Sequence, residues 1–244
     1  MYRTLAPDKI IETLMRLHAR ITGSFPGSGL SKVCAELVEI ARQTDQRSRE
    51  IARPNRLLQA AVAALLAGGA GLLAVVSTGL AKSLKTNDDL YSTLQGIDAG
   101  FNILVLMGAA LYFLISLEVR MKRSRALKAL HEVRSIVHVI DMHQLTKDPY
   151  EDPPSGSGSN ATRRALSDYQ LVRYLDYCTE MLSLTAKVAV LYAQSFPDPV
   201  VTEVVNDIER TATGLSQKIW QKISIEQATT QRQQSIRASW SGIE

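Results

Sequence analysis

The sequence contains few aromatic residues, prolines and cysteines, and these shortages narrow its structural class. Aromatic residues make up 6% of the chain, and its 14 glycines and 8 prolines are gathered at a small number of joints. Long segments without glycine or proline are typical of long helices rather than of sheets. The two cysteines, Cys34 and Cys178, each lie among apolar residues at helical spacing. We therefore predict two small buried hydrophobic residues that stay reduced.

Charged residues are absent from two long apolar stretches, residues 57–81 and 99–117. A helix needs roughly 17–25 apolar residues to cross a bilayer core about 30 Å thick. The stretches therefore predict a transmembrane helical hairpin with spans at about 57–81 and 99–118. The net charge of +4 lies mostly beside these spans, so nucleic acid is not an expected partner. No cleavable signal peptide is expected, because charged amphipathic sequence precedes the first span.

The recognised catalytic motifs are also missing. The glycine-rich turn at residues 23–32 contains no Gly-Lys-Ser or Gly-Lys-Thr, and it follows a predicted helix where a phosphate loop needs a strand. The sequence has no G-x-S-x-G elbow, no paired CxxC motif and no protein-kinase signature. Neither span carries an ionisable residue near its middle, where transporters and proton pumps place theirs. These absences predict a non-enzymatic protein without a cofactor.

Basic residues are concentrated before the first span and after the second. The loop between the spans carries only Lys82 and Lys85, against Asp88, Asp89 and Asp98. The positive-inside rule then predicts a multi-pass protein of the inner cell membrane with both termini in the cytosol. The basic residues nearest the spans also predict contact with lipid headgroups. These border residues are Arg53, Arg56, Arg120, Lys122, Arg123 and Arg125.

Apolar periodicity and turn residues divide the remaining chain into helices, which predicts an all-α fold with a cytosolic helical bundle. The predicted segments are a cytosolic helical hairpin (1–56), the transmembrane hairpin (57–120), a cytosolic stalk helix that continues the second span (121–147), a flexible linker (148–162), a second cytosolic hairpin (163–228) and a disordered tail (229–244). Pro54 is expected to interrupt the chain just before the first span. The stalk carries apolar residues at the three- and four-residue steps of a coiled-coil seam, namely Ala126, Leu130, Val133, Val137 and Ile140.

One short sequence occurs twice. Ser24-Phe25-Pro26 recurs as Ser195-Phe196-Pro197, and each copy separates two predicted helices. The same offset aligns Val33 with Val204 and Leu37 with Ile208. This repeat indicates either a duplicated helical hairpin or a chance alignment of two periodic sequences.

Small residues form two stripes on the first span, which predicts a helix-packing face. One stripe is Ala60, Ala64 and Gly68, and the other is Ala63, Ala67 and Gly71. Small residues four apart let helix backbones approach closely in lipid. The expected partner is either the second span, through Gly108, or another copy of the protein in a homo-oligomer.

Histidines in the predicted stalk raise a second class of function. His131 and His138 share a helix face, and Asp141 and His143 follow closely. These four residues could contribute to a metal site or act as a metal or pH sensor, in a membrane-tethered enzyme or a regulatory protein. The competing interpretation is that they only pack and form hydrogen bonds at the end of a bundle, and no metal is expected.

The layout resembles that of bacterial two-span membrane proteins, some of which act as pore-forming effectors in defence systems. The resemblance is one of layout, without a shared motif. The small-residue stripes, the absence of charge within the spans and the missing catalytic motifs predict a self-associating scaffold, sensor or pore-forming effector. A membrane anchor that recruits a cytosolic protein partner is the remaining alternative.

Overall fold

The computed structural model describes residues 4–86, 90–145 and 166–241, and within these ranges it contains six α-helices and no β-strand. In chain order the helices are α1 (Pro7–Ser24), α2 (Gly29–Ala52), α3 (Arg56–Thr86), α4 (Leu90–Leu145), α5 (Asp168–Ser195) and α6 (Pro199–Ser241). The predicted all-helical class is confirmed. The predicted linker at 148–162 lies outside the described residues, and α6 runs to Ser241, through most of the predicted disordered tail.

The chain forms two compact units. One comprises Met1–Glu50 and Ala126–Glu244, which we call the helical body, and the other comprises Ile51–Arg125, which we call the apolar hairpin. The hairpin holds α3 and the first part of α4, whereas the body holds the other helices and the end of α4. No break occurs in α4 between residues 120 and 125, so the predicted helical continuation of the second apolar stretch is confirmed.

Proline and polar capping residues set the helix ends. Pro7 occupies the first turn of α1, and Pro54 lies in the short break between α2 and α3, as the sequence predicts. The start of α5 lies later than its predicted start near residue 163. There Ser167 accepts a hydrogen bond from the Gln170 amide at 3.3 Å, and the Gln170 side chain accepts one from the Ser167 amide at 3.1 Å. This capping box fixes the first turn of α5.

The repeated Ser-Phe-Pro sequence ends α1 and α5 in the same way. In both turns the phenylalanine amide donates back to a helix carbonyl, from Phe25 to Ile21 at 2.7 Å and from Phe196 to Tyr192 at 2.9 Å. The loops then differ, because Gly27 adopts a left-handed conformation with φ of 70°, whereas Asp198 accepts hydrogen bonds from the first amides of α6. The body is therefore built on two helical hairpins with related turns.

The apolar faces of both hairpins are buried in register. The offset of the repeated sequence pairs buried residues of α1 and α2 with buried residues of α5 and α6. These pairs are Ile10 and Met181, Leu14 and Thr185, Leu17 and Val188, Ile21 and Tyr192, Leu30 and Val201, Cys34 and Val205, and Leu37 and Ile208. The predicted seam of α4, from Ala126 to Ile140, is buried as well. The body therefore has the apolar core that its periodicity predicts.

Polar contacts between helices lie around this core. Arg47 of α2 pairs with Glu132 of α4 at 2.6 Å, and Arg134 of α4 pairs with Asp207 of α6 at 2.5 Å. Inside the body, the Tyr192 hydroxyl donates to Thr44 Oγ1 at 3.3 Å. These contacts fix the rotation of each helix about its own axis, which apolar packing alone specifies less tightly.

Candidate functional site

The apolar hairpin exposes the residues that a water-soluble protein would bury. Its two helices each contain an 18-residue window with mean hydropathy of 2.1 or 2.0, and none of either window is buried. Large side chains such as Phe113 (64% exposed) and Leu106 (69% exposed) lie on its surface. In the part of the chain that the structure describes, these are the two helices long and apolar enough to cross a membrane.

A seam of partly buried residues joins α3 and α4 within the hairpin. On α3 the seam consists of Leu58, Val62, Leu65, Gly69, Leu73 and Val76. A methyl group added at Gly69 would collide with the Met107 sulfur, and one added at Gly100 would meet Val76 Cγ1 at 4.0 Å. The Met107 side chain of α4 therefore packs directly on the Gly69 backbone of α3.

The predicted small-residue stripes do not take part in this seam. Ala60, Ala63, Ala64, Ala67, Gly68 and Gly71 are all exposed. Successive helix residues are about 100° apart, so Ala60, Ala64, Ala67 and Gly71 lie on the side of α3 opposite Gly69, and Ala63 and Gly68 lie on its two flanks. A methyl group added at Gly68, Gly71 or Gly108 would meet no atom within 4 Å. Within the described residues the stripes therefore do not pack on the second apolar helix through Gly108, and the larger Leu and Val side chains of the other face fill the seam.

The end of the hairpin nearest the body in sequence is strongly basic. Six border residues are cationic, and Glu118 is the only carboxylate between residues 51 and 60 or 118 and 125. Glu118 accepts a hydrogen bond from the Asn55 amide at 3.2 Å and pairs with Lys122 at 3.0 Å. Within the described residues Arg53, Arg56, Arg120 and Arg125 have no ion-pair partner. Among the residues that the structure describes, these four arginines therefore leave the border with positive charge that no carboxylate pairs with.

A groove of about 270 Å³ runs along one edge of the seam at this basic end. Its walls are Leu58, Val62, Ala63, Leu66, Leu114 and Ile115, with Gln59 and Glu118 as its polar members. Ala63 is the one stripe residue that lines it. The groove is long, mostly apolar and open at the side, because Ala63, Leu66 and Ile115 are exposed.

The histidine and aspartate residues of the stalk do not converge. His131 and His138 are exposed on α4, whereas Asp141 accepts a hydrogen bond from Gln144 at 2.7 Å. His143 packs against α2, where a methyl group added at Gly29 would lie 2.5 Å from the imidazole Cε1. In the described ranges no three His, Cys, Asp or Glu side chains are placed to hold a metal ion. The metal-site hypothesis therefore has no geometric support, since the helix turns these side chains towards different surroundings.

A further histidine, outside the predicted cluster, contacts two hydroxyl groups. His18 Nε2 lies 3.5 Å from both Thr22 Oγ1 and Ser31 Oγ, and the two hydroxyl oxygens are 2.8 Å apart. An activated serine needs a histidine closer than this and a third group that orients the ring. The cluster therefore links α1 to α2. Sequence offered no signal for it, because the three residues come from two helices.

Both cysteines are buried free thiols, as predicted. Burial raises the pKa of the Cys34 thiol to about 12, and the nearby Glu180 carboxylate acts in the same direction. Burial alone raises the pKa of Cys178 to about 12. Neither thiol is therefore a nucleophile near neutral pH.

No protein-family model matches the chain, and neither the curated proteins nor the solved structures contain a significant match to it.

Proposed function

We propose that this protein is a non-enzymatic integral membrane protein whose apolar hairpin crosses the bilayer and whose helical body lies in the cytosol. The exposed apolar surface of the hairpin carries this proposal. Soluble monomers rarely expose contiguous apolar patches larger than a few hundred Å², whereas here no residue of either 18-residue apolar window is fully buried. Lipid is the surrounding that makes such a surface favourable.

The charge distribution supports one orientation in the inner cell membrane. The unpaired arginines of the border lie at the end of the hairpin opposite its short connection, and such residues stay on the cytosolic side. Both termini and the helical body then lie in the cytosol. The lipid bilayer is the first partner of the protein.

The small-residue stripes support self-association in the membrane. They are exposed and lie outside the seam, in which the Met107 side chain packs on Gly69 instead. A second copy of α3 is the partner that such a face fits, because small residues let two backbones approach closely. A homo-oligomer of this kind would act as a scaffold, sensor or pore-forming effector, with the body available to a cytosolic protein.

Single cysteines test the insertion and the orientation. The native thiols are buried, so Tyr91→Cys in the hairpin and Ser135→Cys in the body give specific labels at exposed positions. In sealed right-side-out vesicles a membrane-impermeant maleimide should label Tyr91→Cys and leave Ser135→Cys unlabelled, and inverted vesicles should reverse this result. Equal labelling of both variants in both preparations, or release of the protein by alkaline carbonate, would refute the proposal.

A pair of glycine variants tests self-association. Gly71→Leu places a bulky side chain in a stripe, and Gly79→Leu makes the same change at an exposed glycine outside the stripes. We expect Gly71→Leu to weaken the oligomer about tenfold, through the loss of close backbone contact, and Gly79→Leu to leave it intact. Single-molecule photobleaching in liposomes measures the oligomer, and conductance of the same liposomes separates a pore from a scaffold. A wild-type monomer under these conditions would exclude both forms.

A further inference from the structure

We propose that the groove at the basic end of the hairpin binds one anionic phospholipid, with an acyl chain along the apolar walls and the phosphate beside Arg56. The inference rests on the proposed insertion of the hairpin into the membrane. It adds a defined lipid site to what is otherwise a general contact with the bilayer.

The order of residues along the groove matches the order of groups in a phospholipid. On α3 the order from the basic end is Arg56, Gln59, Ala63 and Leu66 at steps of three and four residues, so all four lie towards one side of the helix. On α4 the matching order is Lys122, Glu118, Ile115 and Leu114. Charged groups thus come first, then hydrogen-bonding groups, then apolar walls. A phospholipid has its phosphate, esters and acyl chain in the same order.

The length and openness of the groove suit an acyl chain in one leaflet. At 1.5 Å per residue, Arg56 and Leu66 are about 15 Å apart along α3, which is half of a bilayer core about 30 Å thick. Sites for soluble ligands are typically concavities of about 300–1,000 Å³ that enclose most of the ligand. This groove is smaller and open along its side, so a chain could enter laterally from the surrounding lipid.

Electrostatics selects an anionic lipid over a second copy of the chain. Arg56 has no ion-pair partner among the described residues, whereas Lys122 is already paired with Glu118 at 3.0 Å. A phosphate would therefore form an ion pair with Arg56 and neutralise its charge. A second hairpin in the same orientation carries only Glu118 as a carboxylate at this end, and Glu118 is already paired with Lys122, so a second copy would leave Arg56 without a counter-charge.

Two matched pairs of variants test the site in the full-length protein. Arg56→Gln removes the unpaired cation at the groove, and Arg120→Gln removes one elsewhere on the same border. Ala63→Phe fills the groove, and Ala74→Phe places the same ring on an exposed part of α3 beyond it. Native mass spectrometry of detergent-solubilised protein, titrated with phosphatidylglycerol or with phosphatidylcholine of the same chain length, counts the bound lipids.

We expect one phosphatidylglycerol to stay bound under conditions that remove phosphatidylcholine. Arg56→Gln should weaken this binding about fivefold, and Ala63→Phe should weaken it at least as much. The two control variants should stay within about twofold of the wild type. Equal binding of both lipids would overturn the proposal, and so would a loss in Arg120→Gln as large as in Arg56→Gln, which would indicate diffuse surface charge. Wild-type dimers that exclude the lipid would show that a second copy fills the groove.

Failure of the lipid site and failure of membrane insertion give different results. If the hairpin does not insert, carbonate extraction releases the wild-type protein and the cysteine labels report no sidedness. If the protein inserts without a lipid site, those two assays succeed and only the preference for phosphatidylglycerol is missing.

Discussion

The helical body and the apolar hairpin use similar residues in opposite ways. In the body, Leu14 and Leu17 are fully buried, and only a few polar residues such as Thr44 and Thr185 are buried with them. In the hairpin, Leu106 and Phe113 are mostly exposed, and the seam includes a glycine. Apolar burial drives folding only where water is the surrounding solvent. The body therefore has the burial pattern of a bundle that water stabilises, whereas the hairpin, in the membrane proposed for it, would depend on close packing in a solvent as apolar as its own surface.

The largest expected effect comes from equal truncations in the two units. Leu17→Ala removes a fully buried side chain of the body, and Leu106→Ala removes one that is 69% exposed in the hairpin. We expect Leu17→Ala to lower the free energy of unfolding of the body by about 2–5 kcal/mol, and Leu106→Ala to change it by less than about 0.5 kcal/mol. Circular dichroism during denaturant titration in detergent measures both. Equal losses of unfolding free energy in the two variants would contradict the difference in burial between Leu17 and Leu106.

A charge in the hairpin should produce the next largest effect. Leu106→Arg lies near the middle of the second span, where an arginine costs about 2.5–3.5 kcal/mol of insertion free energy. We expect less of this variant in the membrane fraction after carbonate washing. Ser135→Arg, at an exposed position of the body, is the control and should not change that fraction. An unchanged membrane fraction for Leu106→Arg would contradict a lipid-facing surface.

Alkaline pH should affect the body through its buried thiols. Because burial raises the pKa of Cys34 and Cys178 to about 12, from an ordinary value of 9.0, both stay protonated in the folded state. The unfolded state releases these protons first, so stability is unchanged below about pH 9 and falls as pH rises towards 12. Denaturation midpoints between pH 8 and 11 measure this fall. The double variant Cys34→Ala, Cys178→Ala should show a shallower fall, and an identical one would refute the assignment.

Thiol labelling gives a direct check of the same burial. A maleimide at pH 8 should modify neither native cysteine in the folded protein and both in denaturant. The exposed Ser135→Cys thiol should react in either state. Rapid labelling of folded wild-type protein would place a cysteine at the surface.

The smallest effect is expected from the ion pairs around the body. The Arg134 and Asp207 side chains are 46% and 43% exposed, so solvent screens their attraction. A double-mutant cycle with Arg134→Gln and Asp207→Asn should give a coupling of about 0.2–1 kcal/mol that decreases with added salt. A coupling well above this range would show that the pair is shielded from solvent.

Periodicity predicted the helices and most of the body core. The steps of Ile10, Leu14, Leu17 and Ile21 identified the buried face of α1, because one face of an amphipathic helix must leave water. The later start of α5 could have been found too, since Ser167-x-x-Gln170 is a capping-box sequence.

The candidate site was less predictable. The small-residue stripes are visible in the sequence, but the face of α3 that meets α4 is not, because Leu65, Gly69 and Leu73 repeat as regularly as the small residues do. Similarly, the spacing of His131, His138 and Asp141 allowed a shared face of α4. The surroundings of each side chain in the folded protein depend on residues from other helices, so the spacing could not show whether these residues converge.

Sequence by itself determined that this chain forms long helices, that two of them are apolar enough to span a membrane, and that its cations gather at one end of that pair. These are local properties, set by composition and period along single segments. Tertiary structure decided that Met107 packs on Gly69, that the small residues face outwards, and that an apolar groove opens at Leu58, two residues after Arg56. Such features depend on how one helix rotates against another, and that rotation is set by side-chain packing between segments far apart in the chain.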